Sequence, residues 1–204
     1  MGAVGLKCRR HFFTAYNLLD ARRAADAAKH ALRELTPEVR NLPPTEGQAE
    51  VETEPVFPDY VLDPNMEMPV ENIDGIDYIG ILRIPSLDLE LPVISQWSYP
   101  HLKTAPCRYA GSAYQNNLII CAHNYTSHFG NLKKLPEGDS ITFTDVDGNV
   151  FTYEVELLET LHPVDTEEME RGGWDLTLFT CPIGGAYRVT VCCSLVMERG
   201  GGQG

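Results

Sequence analysis

Hydrophobic and polar positions follow two different periods along this chain. From Leu18 to Leu35 the apolar residues, mostly alanine, recur at helical spacing, and neither Gly nor Pro interrupts them before Pro37. After residue 77 apolar and polar residues alternate with the two-residue period of strands. Because the apolar stripe of the helix is mostly alanine, we expect a weakly packed helical stalk followed by a β-rich domain.

The segments with strand periodicity are separated by turn-forming residues. The segment YIGILRIPSLDLELPVI predicts two short strands around Pro85, NNLIICAH a buried strand, and SITFTDVDGNVFTYEVELLETLHPV a hairpin that turns at Asp147 and Gly148. DLTLFTC and YRVTVCCSLV predict a final pair, and SHFGNLKKL and TEEMERGGW short helical or loop crossings. About seven to eight strands with turns between them predict a mainly β fold, a closed barrel with short helices.

A change of composition predicts the domain boundaries. Residues 41–77 are rich in Pro, Glu, Asn and Asp, and the six prolines in this stretch argue against regular structure. We therefore expect an N-terminal helix in residues 1–40, a linker or arm in 41–77, the main globular domain in 78–197 and a flexible tail in 198–204.

Composition and charge narrow the possible functions. A chain of 204 residues with 43% hydrophobic content suits one globular domain with an extension. The net charge of -13 argues against a nucleic-acid partner, which needs a basic surface to neutralise phosphates. The apolar patch Phe12 to Leu19 is too short to span a bilayer, which takes roughly 18 apolar residues.

One cysteine and one histidine occupy similar positions at strand ends. Cys181 ends DLTLFTC, whereas most other cysteines are expected to be small core residues. A nucleophilic cysteine needs a partner that keeps it a thiolate, and His123 ends the apolar run LIICAH. The other five histidines lie in the N-terminal extension or in polar loops, where we expect surface positions: His11, His30, His101, His128 and His162.

An arginine opens the strand that follows the cysteine. The turn residues PIGG allow the backbone to double back, so that Arg188 lies across from Cys181, where a guanidinium can stabilise an oxyanion. Taken alone, such a cysteine also fits a core position and such an arginine a solvated one. A zinc site formed by Cys107, Cys121 and His123 is conceivable, but no CxxC or HxxxH spacing supports it.

Together, TLFTC in a strand, an arginine on the next strand and the upstream strand end AHN resemble the sortases, the cysteine transpeptidases of the Gram-positive cell surface. The resemblance covers residues 78–196 and implies the sortase-type barrel. It also implies that Cys181 is the nucleophile, His123 the general acid/base and Arg188 the oxyanion or substrate-binding residue. Thr180 would help to line the substrate groove.

The resemblance implies cleavage of an LPxTG-like sorting signal and transfer of the acyl group, through a thioacyl-enzyme, to an amine. The partners would be surface proteins or pilins with a C-terminal sorting signal and an acceptor amine of peptidoglycan or of a pilin lysine. No cofactor is expected, because the thioester retains the energy of the peptide bond, and DVDGN fits a hairpin turn better than a calcium loop. The expected location is the outer side of the plasma membrane, although the family's N-terminal membrane anchor is not seen in this sequence.

The segment Leu62 to Pro69 weakly resembles the Asp-Pro lid of pilin-polymerising sortases. In those proteins an aromatic residue usually follows the Asp-Pro pair, whereas Asn65 follows it here, so an acidic linker is the favoured interpretation. Subclass, sorting signal and acceptor stay open.

Two alternatives belong to other functional classes. One is a Cys-His peptidase that only hydrolyses its substrate, although the Q-A-C-x-G signature of caspases is absent. The other is a non-catalytic β-barrel binding module in which Cys181 is merely buried.

Overall fold

The computed structural model describes residues 4–35, 57–161, 173–181 and 187–196; for residues 4–19 and 181 it describes the backbone alone. Two α-helices lie in these ranges, α1 (Val4–Leu35) and α2 (Asp59–Leu62). Short 3-10 turns connect several strands, and they are Pro85–Leu87, His101–Lys103, Ala113–Gln115 and Leu132–Lys134.

Nine strands are formed by the described residues. They are β1 (Glu71–Ile73), β2 (Ile76–Ile84), β3 (Leu89–Ile94), β4 (Cys107–Ala110), β5 (Leu118–His123), β6 (Ser140–Asp145), β7 (Val150–Leu161), β8 (Leu176–Cys181) and β9 (Arg188–Leu195). The strands predicted on both sides of Pro85, the hairpin between β6 and β7 and the final pair are confirmed. The short strands β1 and β4 were not predicted, because each is too short for its period to stand out.

The sheet closes into a barrel. Its order is β1-β2-β3-β4-β5-β8-β9-β7-β6, and a further pairing of β2 with β6 joins the two sides, so that eight strands form the ring and β1 extends β2. A Cβ at Gly80, which has φ +150°, would overlap the carbonyl oxygen of Thr144 on β6. Glycine therefore permits the close approach that closes the barrel. The predicted closed β-barrel is confirmed.

Alternate residues of the strands fill two hydrophobic clusters. The inner cluster includes Leu118, Ile120 and Ala122 of β5. The outer cluster, on the opposite face of the wall, takes Ile119 and Cys121 of the same strand. Because side chains alternate along a strand, odd-numbered residues of β5 belong to the outer face of the barrel.

Helix α1 packs on this outer face near its C-terminal end. Ala28 and Leu32 are buried, at 0% and 1% exposure, within the outer cluster. Arg33 also pairs with Glu90 of β3. The predicted helix is confirmed from Leu18 to Leu35, but the expectation of weak packing is wrong for its C-terminal part, because Ala28 and Leu32 are buried in the outer cluster.

The predicted linker contains regular structure in its second half, where α2 and β1 lie. Tyr60 of α2 stacks on Tyr114, with ring centroids 4.6 Å apart, and Asn65 accepts a hydrogen bond from Gln115. Within the segment Leu62 to Pro69, Met68 is also buried in the inner cluster, and the resemblance of this segment to a lid stays a prediction. The first half of the linker lies outside the described residues, and the predicted domain boundaries stay predictions.

Candidate active site

His123 and Cys181 end two neighbouring parallel strands. Strands β5 and β8 pair along their whole lengths, from Leu118 with Leu176 to His123 with Cys181. Paired residues of adjacent strands lie about 4.8 Å apart. Two buried apolar strands therefore deliver an imidazole residue and a thiol residue side by side at the same edge of the barrel wall.

The surroundings of His123 restrict its ring. Its side chain is 8% exposed, and its ring centroid lies 4.9 Å from that of Tyr125. Its carbonyl oxygen accepts a hydrogen bond of 3.1 Å from the amide of Phe129, which turns the chain immediately after β5. A nearly buried imidazole at a rigid strand end suits proton transfer, because its position relative to β8 is defined by the sheet.

Arg188 begins β9, the strand that pairs with β8. Strands β8 and β9 are antiparallel, and their last paired residues are Phe179 and Thr190. Arg188 and Cys181 each lie two residues beyond this last pair, at the same end of the two strands. The guanidinium carbon of Arg188 lies 5.4 Å from the centroid of the Phe179 ring.

A match to a protein-family model decides the family. The model of the sortase domain matches residues 82–196, more than half of the chain. The chain belongs to the sortase family. Sortases are cysteine transpeptidases, so a cysteine, a histidine and an arginine on adjacent strands of this β-barrel suit the chemistry of the family.

Solved sortase structures share the fold of this sortase. Sortase C1 from Streptococcus agalactiae is 26% identical and has a TM-score of 0.52; the match covers 70% of this chain and 78% of that one. Sortase C from Streptococcus pneumoniae is 22% identical, with a TM-score of 0.53 and 90% of each chain covered. A Clostridium perfringens sortase C with the C-terminal cell wall sorting motif is 24% identical and has a TM-score of 0.53; the match covers 68% of this chain and 84% of that one. No curated protein matches the chain.

Thr180 makes a hydrogen bond to the neighbouring strand. Its side chain is 5% exposed, and its hydroxyl oxygen accepts a hydrogen bond of 3.0 Å from the amide of Val189. Strand alternation assigns it to the face opposite Phe179. In this sortase Thr180 therefore joins β8 to β9 just before Cys181, and a contact with substrate stays a prediction.

The other cysteines on the strands are buried thiols. Cys107 and Cys121 are register partners on β4 and β5, and both are fully buried. Burial raises the pKa of Cys192 to about 12, and burial also raises the pKa of Cys193. Both therefore stay protonated near neutral pH and are poor nucleophiles. Within the described ranges no group of three or more His, Cys, Asp or Glu side chains is arranged to hold a metal ion, so the zinc alternative has no support.

The prediction that His128 is a surface residue is wrong. Its side chain is only 5% exposed, and burial lowers its pKa to about 4, helped by electrostatic interactions with His123 and Arg22. The sequence TSHFG looks polar, and the signal that was missed is the apolar Phe129 beside the histidine, which anchors the loop in the inner cluster. His162 lies outside the described residues.

A groove of about 480 Å³ lies along β4, and sequence reasoning missed it. Trp97, Arg108 and Tyr109 line it. Tyr109 packs edge-on against Phe179, with ring centroids 5.2 Å apart. These aromatic residues come from separate strands and loops, so their proximity has no signature in a local sequence pattern.

Long apolar helices are absent from the described residues of this sortase. Where the chain is described, none of its helices has both the length and the hydropathy needed to cross a bilayer.

Proposed function

We propose that this sortase cleaves an LPxTG-like sorting signal and joins the acyl group to an amine of the cell wall or of a pilin. Cys181 is the nucleophile, His123 the general acid/base, and Arg188 the residue that binds the substrate carbonyl or the developing oxyanion. Transpeptidase activity follows from membership of the sortase family, whereas the roles of these residues and the substrates are our proposal.

The observation that carries the proposal is the pairing of His123 with Cys181 at the ends of β5 and β8. Cysteine catalysis needs a base next to the thiol, because a free thiol with a pKa of about 8.5 is only slightly ionised near neutral pH. Residue 181 follows Phe179 by one strand period, which assigns it to the outer face that carries Cys121 and residue 123. Thiol and imidazole residues thus belong to one face of two adjacent strands.

The reaction proceeds in two acyl transfers. The Cys181 thiolate attacks the carbonyl carbon of the scissile peptide bond, and the electrons of the broken C–N bond leave with the amine, which His123 protonates. A thioester joins substrate and enzyme. The amine of the second substrate then attacks the thioester and loses its proton to His123, so that a new amide forms and the Cys181 thiolate is released. No redox step or external energy source is required.

Arg188 supplies fixed positive charge at the step where the carbonyl oxygen becomes an anion. A guanidinium stays protonated at every physiological pH and presents several N–H donors in one plane. Donors that face a developing oxyanion contribute roughly 100-fold or more to the rate. The Arg188 Nε–H is buried and has no acceptor among the described residues.

The substrate class rests on the family and on solved relatives. One similar structure is a Clostridium perfringens sortase C with the C-terminal cell wall sorting motif, and another is a pilus-related sortase C of group B Streptococcus. We extend these properties to this chain as a proposal, with surface proteins or pilins as donors, peptidoglycan or a pilin lysine as acceptor, and the outer side of the plasma membrane as location.

The test incubates the purified chain with a library of LPxTG-type peptides and triglycine and follows the products by mass spectrometry. The expected product is the acyl fragment joined to triglycine. Cys181→Ala should abolish it, and His123→Gln should reduce its rate about 100-fold or more. Cys192→Ala is the matched control, because it removes a thiol that burial keeps protonated.

Three outcomes contradict the proposal in different ways. Cleavage that ignores triglycine at every concentration would indicate a hydrolytic peptidase. Ligation that survives Cys181→Ala would exclude the assigned nucleophile. Absence of both cleavage and ligation across the library, with Cys181 alkylated no faster than a model thiol, would favour the binding module.

A further inference from the structure

Arg188 rests on an aromatic ring. Its guanidinium carbon lies 5.4 Å from the centroid of Phe179, within the roughly 6 Å reach of a cation–π interaction. Phe179 is 1% exposed and belongs to the outer cluster, so its ring is held firmly. The half-buried Arg188 therefore has a rigid surface beneath its charged group.

The ring holds the guanidinium without neutralising it. None of the ion pairs among the described residues involves Arg188, and its Nε–H is buried without an acceptor within those residues. A carboxylate in the same place would fix the arginine but would also occupy its donors and cancel its charge. An aromatic face attracts the cation and leaves the N–H groups available for a substrate oxygen.

Phe179 is itself supported from the side. Tyr109 of β4 packs edge-on against it at 5.2 Å, with the two rings at 84°. Trp97, from the loop after β3, stacks on Tyr109 at 5.8 Å. Edge-to-face packing of this kind is favourable because the positive edge of one ring meets the negative face of another. Three rings thus brace the surface that carries Arg188.

Phe179 also links Arg188 to the nucleophile. It lies two residues before Cys181 on β8, and it pairs with Thr190, two residues after Arg188 on β9. A shift of the ring would move the guanidinium relative to residue 181 without changing either residue. Phe179, the third residue in TLFTC, can therefore affect the reaction by setting the position of Arg188.

We propose that Phe179 is a positioning residue, whose ring face holds the Arg188 guanidinium in the orientation that receives the substrate oxygen. This inference rests on the role proposed for Arg188 and adds the group that positions it. A cation–π contact depends on the electron density of the ring face, and the neighbouring rings hold that face in place. We therefore expect the ring face of Phe179, rather than the apolar volume of its side chain, to determine the position of Arg188.

The test replaces Phe179 with phenylalanines that carry one, two or three fluorine atoms, introduced by amber suppression. Fluorine withdraws electron density from the ring face and changes its shape little, so the attraction for the cation falls stepwise. We expect kcat/KM for ligation to fall with each fluorine, to about tenfold below wild type for the trifluorinated ring. The matched control fluorinates Phe143, a fully buried ring that packs near Phe151.

An Arg188→Gln background separates positioning from general packing. With the cation removed, the fluorine series at Phe179 should have no effect on the remaining rate, because the coupling between the two residues is gone. A series that is equally steep in both backgrounds would overturn the inference, and so would a flat series in the chain that keeps Arg188.

A spectroscopic readout tests the contact without relying on activity. The Nε–H resonance of Arg188, assigned by its loss in Arg188→Lys, should be shifted upfield by the ring current of Phe179, and Phe179→Leu should remove that shift. An unshifted resonance would refute the contact. If the wild-type chain forms no ligated product while the resonance is shifted, the proposed function fails and the contact stands.

Discussion

Stability of this sortase should depend on pH through His128. The imidazole is buried, at 5% exposure, and burial lowers its pKa from 6.5 to about 4. Electrostatic interactions with His123 on β5 and Arg22 on α1 act in the same direction, whereas a hydrogen bond with the Thr104 backbone acts against it. The folded chain therefore keeps this histidine neutral over a range in which the unfolded chain protonates it.

The sign and size follow from proton linkage. Between pH 6.5 and about 4 the unfolded state binds more protons at this residue, so stability falls as pH falls through this window and is fully present above it. One unit of pKa difference corresponds to about 1.4 kcal/mol, so a lowering of this size costs on the order of 3 kcal/mol by pH 4. Below that pH both states are protonated and the contribution is constant.

The assay is urea unfolding of the wild type, His128→Gln and the control His30→Gln at pH values from 4 to 7.5. Glutamine does not titrate, so the stability difference between wild type and His128→Gln should change by about 1.4 kcal/mol per pH unit inside the window. His30 is exposed on α1, so His30→Gln controls for the loss of an imidazole that is not buried. Parallel curves for wild type and His128→Gln between pH 4 and 6.5 would refute the reasoning.

Three further predictions concern the barrel and its helix. Gly80→Ala should cost about 4 kcal/mol or more, because the new Cβ overlaps the backbone of β6 where the barrel closes. Leu32→Ala should cost about 2–4 kcal/mol, because this side chain of α1 is buried in the outer cluster. Tyr114→Phe should cost about 1–3 kcal/mol, because it removes the 2.8 Å hydrogen bond that its hydroxyl donates to the fully buried Asp145 carboxylate. Urea unfolding followed by circular dichroism measures all three.

Controls for these variants come from the same chain. Leu35→Ala, at a position that is 47% exposed, should change stability by less than about 0.5 kcal/mol. Equal losses for Leu32→Ala and Leu35→Ala would contradict the packing of α1 on the barrel. A Gly80→Ala variant as stable as wild type would contradict the close approach of β2 and β6.

Local patterns predicted the elements well where a single period runs over several residues. The apolar run in NNLIICAH and the Asp147-Gly148 turn each carry their information within a few positions, because strands and turns are set by neighbouring residues. The second half of the predicted linker was missed for two reasons. Helix α2 packs through Tyr60 on Tyr114, which lies far along the chain. Strand β1 pairs with the adjacent β2 across the Asp74-Gly75 turn, a local signal that the sequence analysis overlooked.

The candidate site divides in the same way. The positions of Cys181 and His123 at strand ends, and of Arg188 at the start of a strand, were predicted from the sequence around each and are confirmed, whereas their catalytic roles stay predictions. The burial of His128 and the row of Trp97, Tyr109 and Phe179 were not found, since no local pattern records which loop folds inward or which rings meet.

By itself, then, the sequence determined the helix, the longer strands and the candidate residues at their ends, because these depend on short-range periodicity. Only the tertiary structure decided that β5 and β8 are parallel neighbours, that α1 packs in the outer cluster and that Arg188 rests on Phe179. Those features depend on closure of the barrel, in which strands far apart in sequence become adjacent because their apolar faces must be buried together.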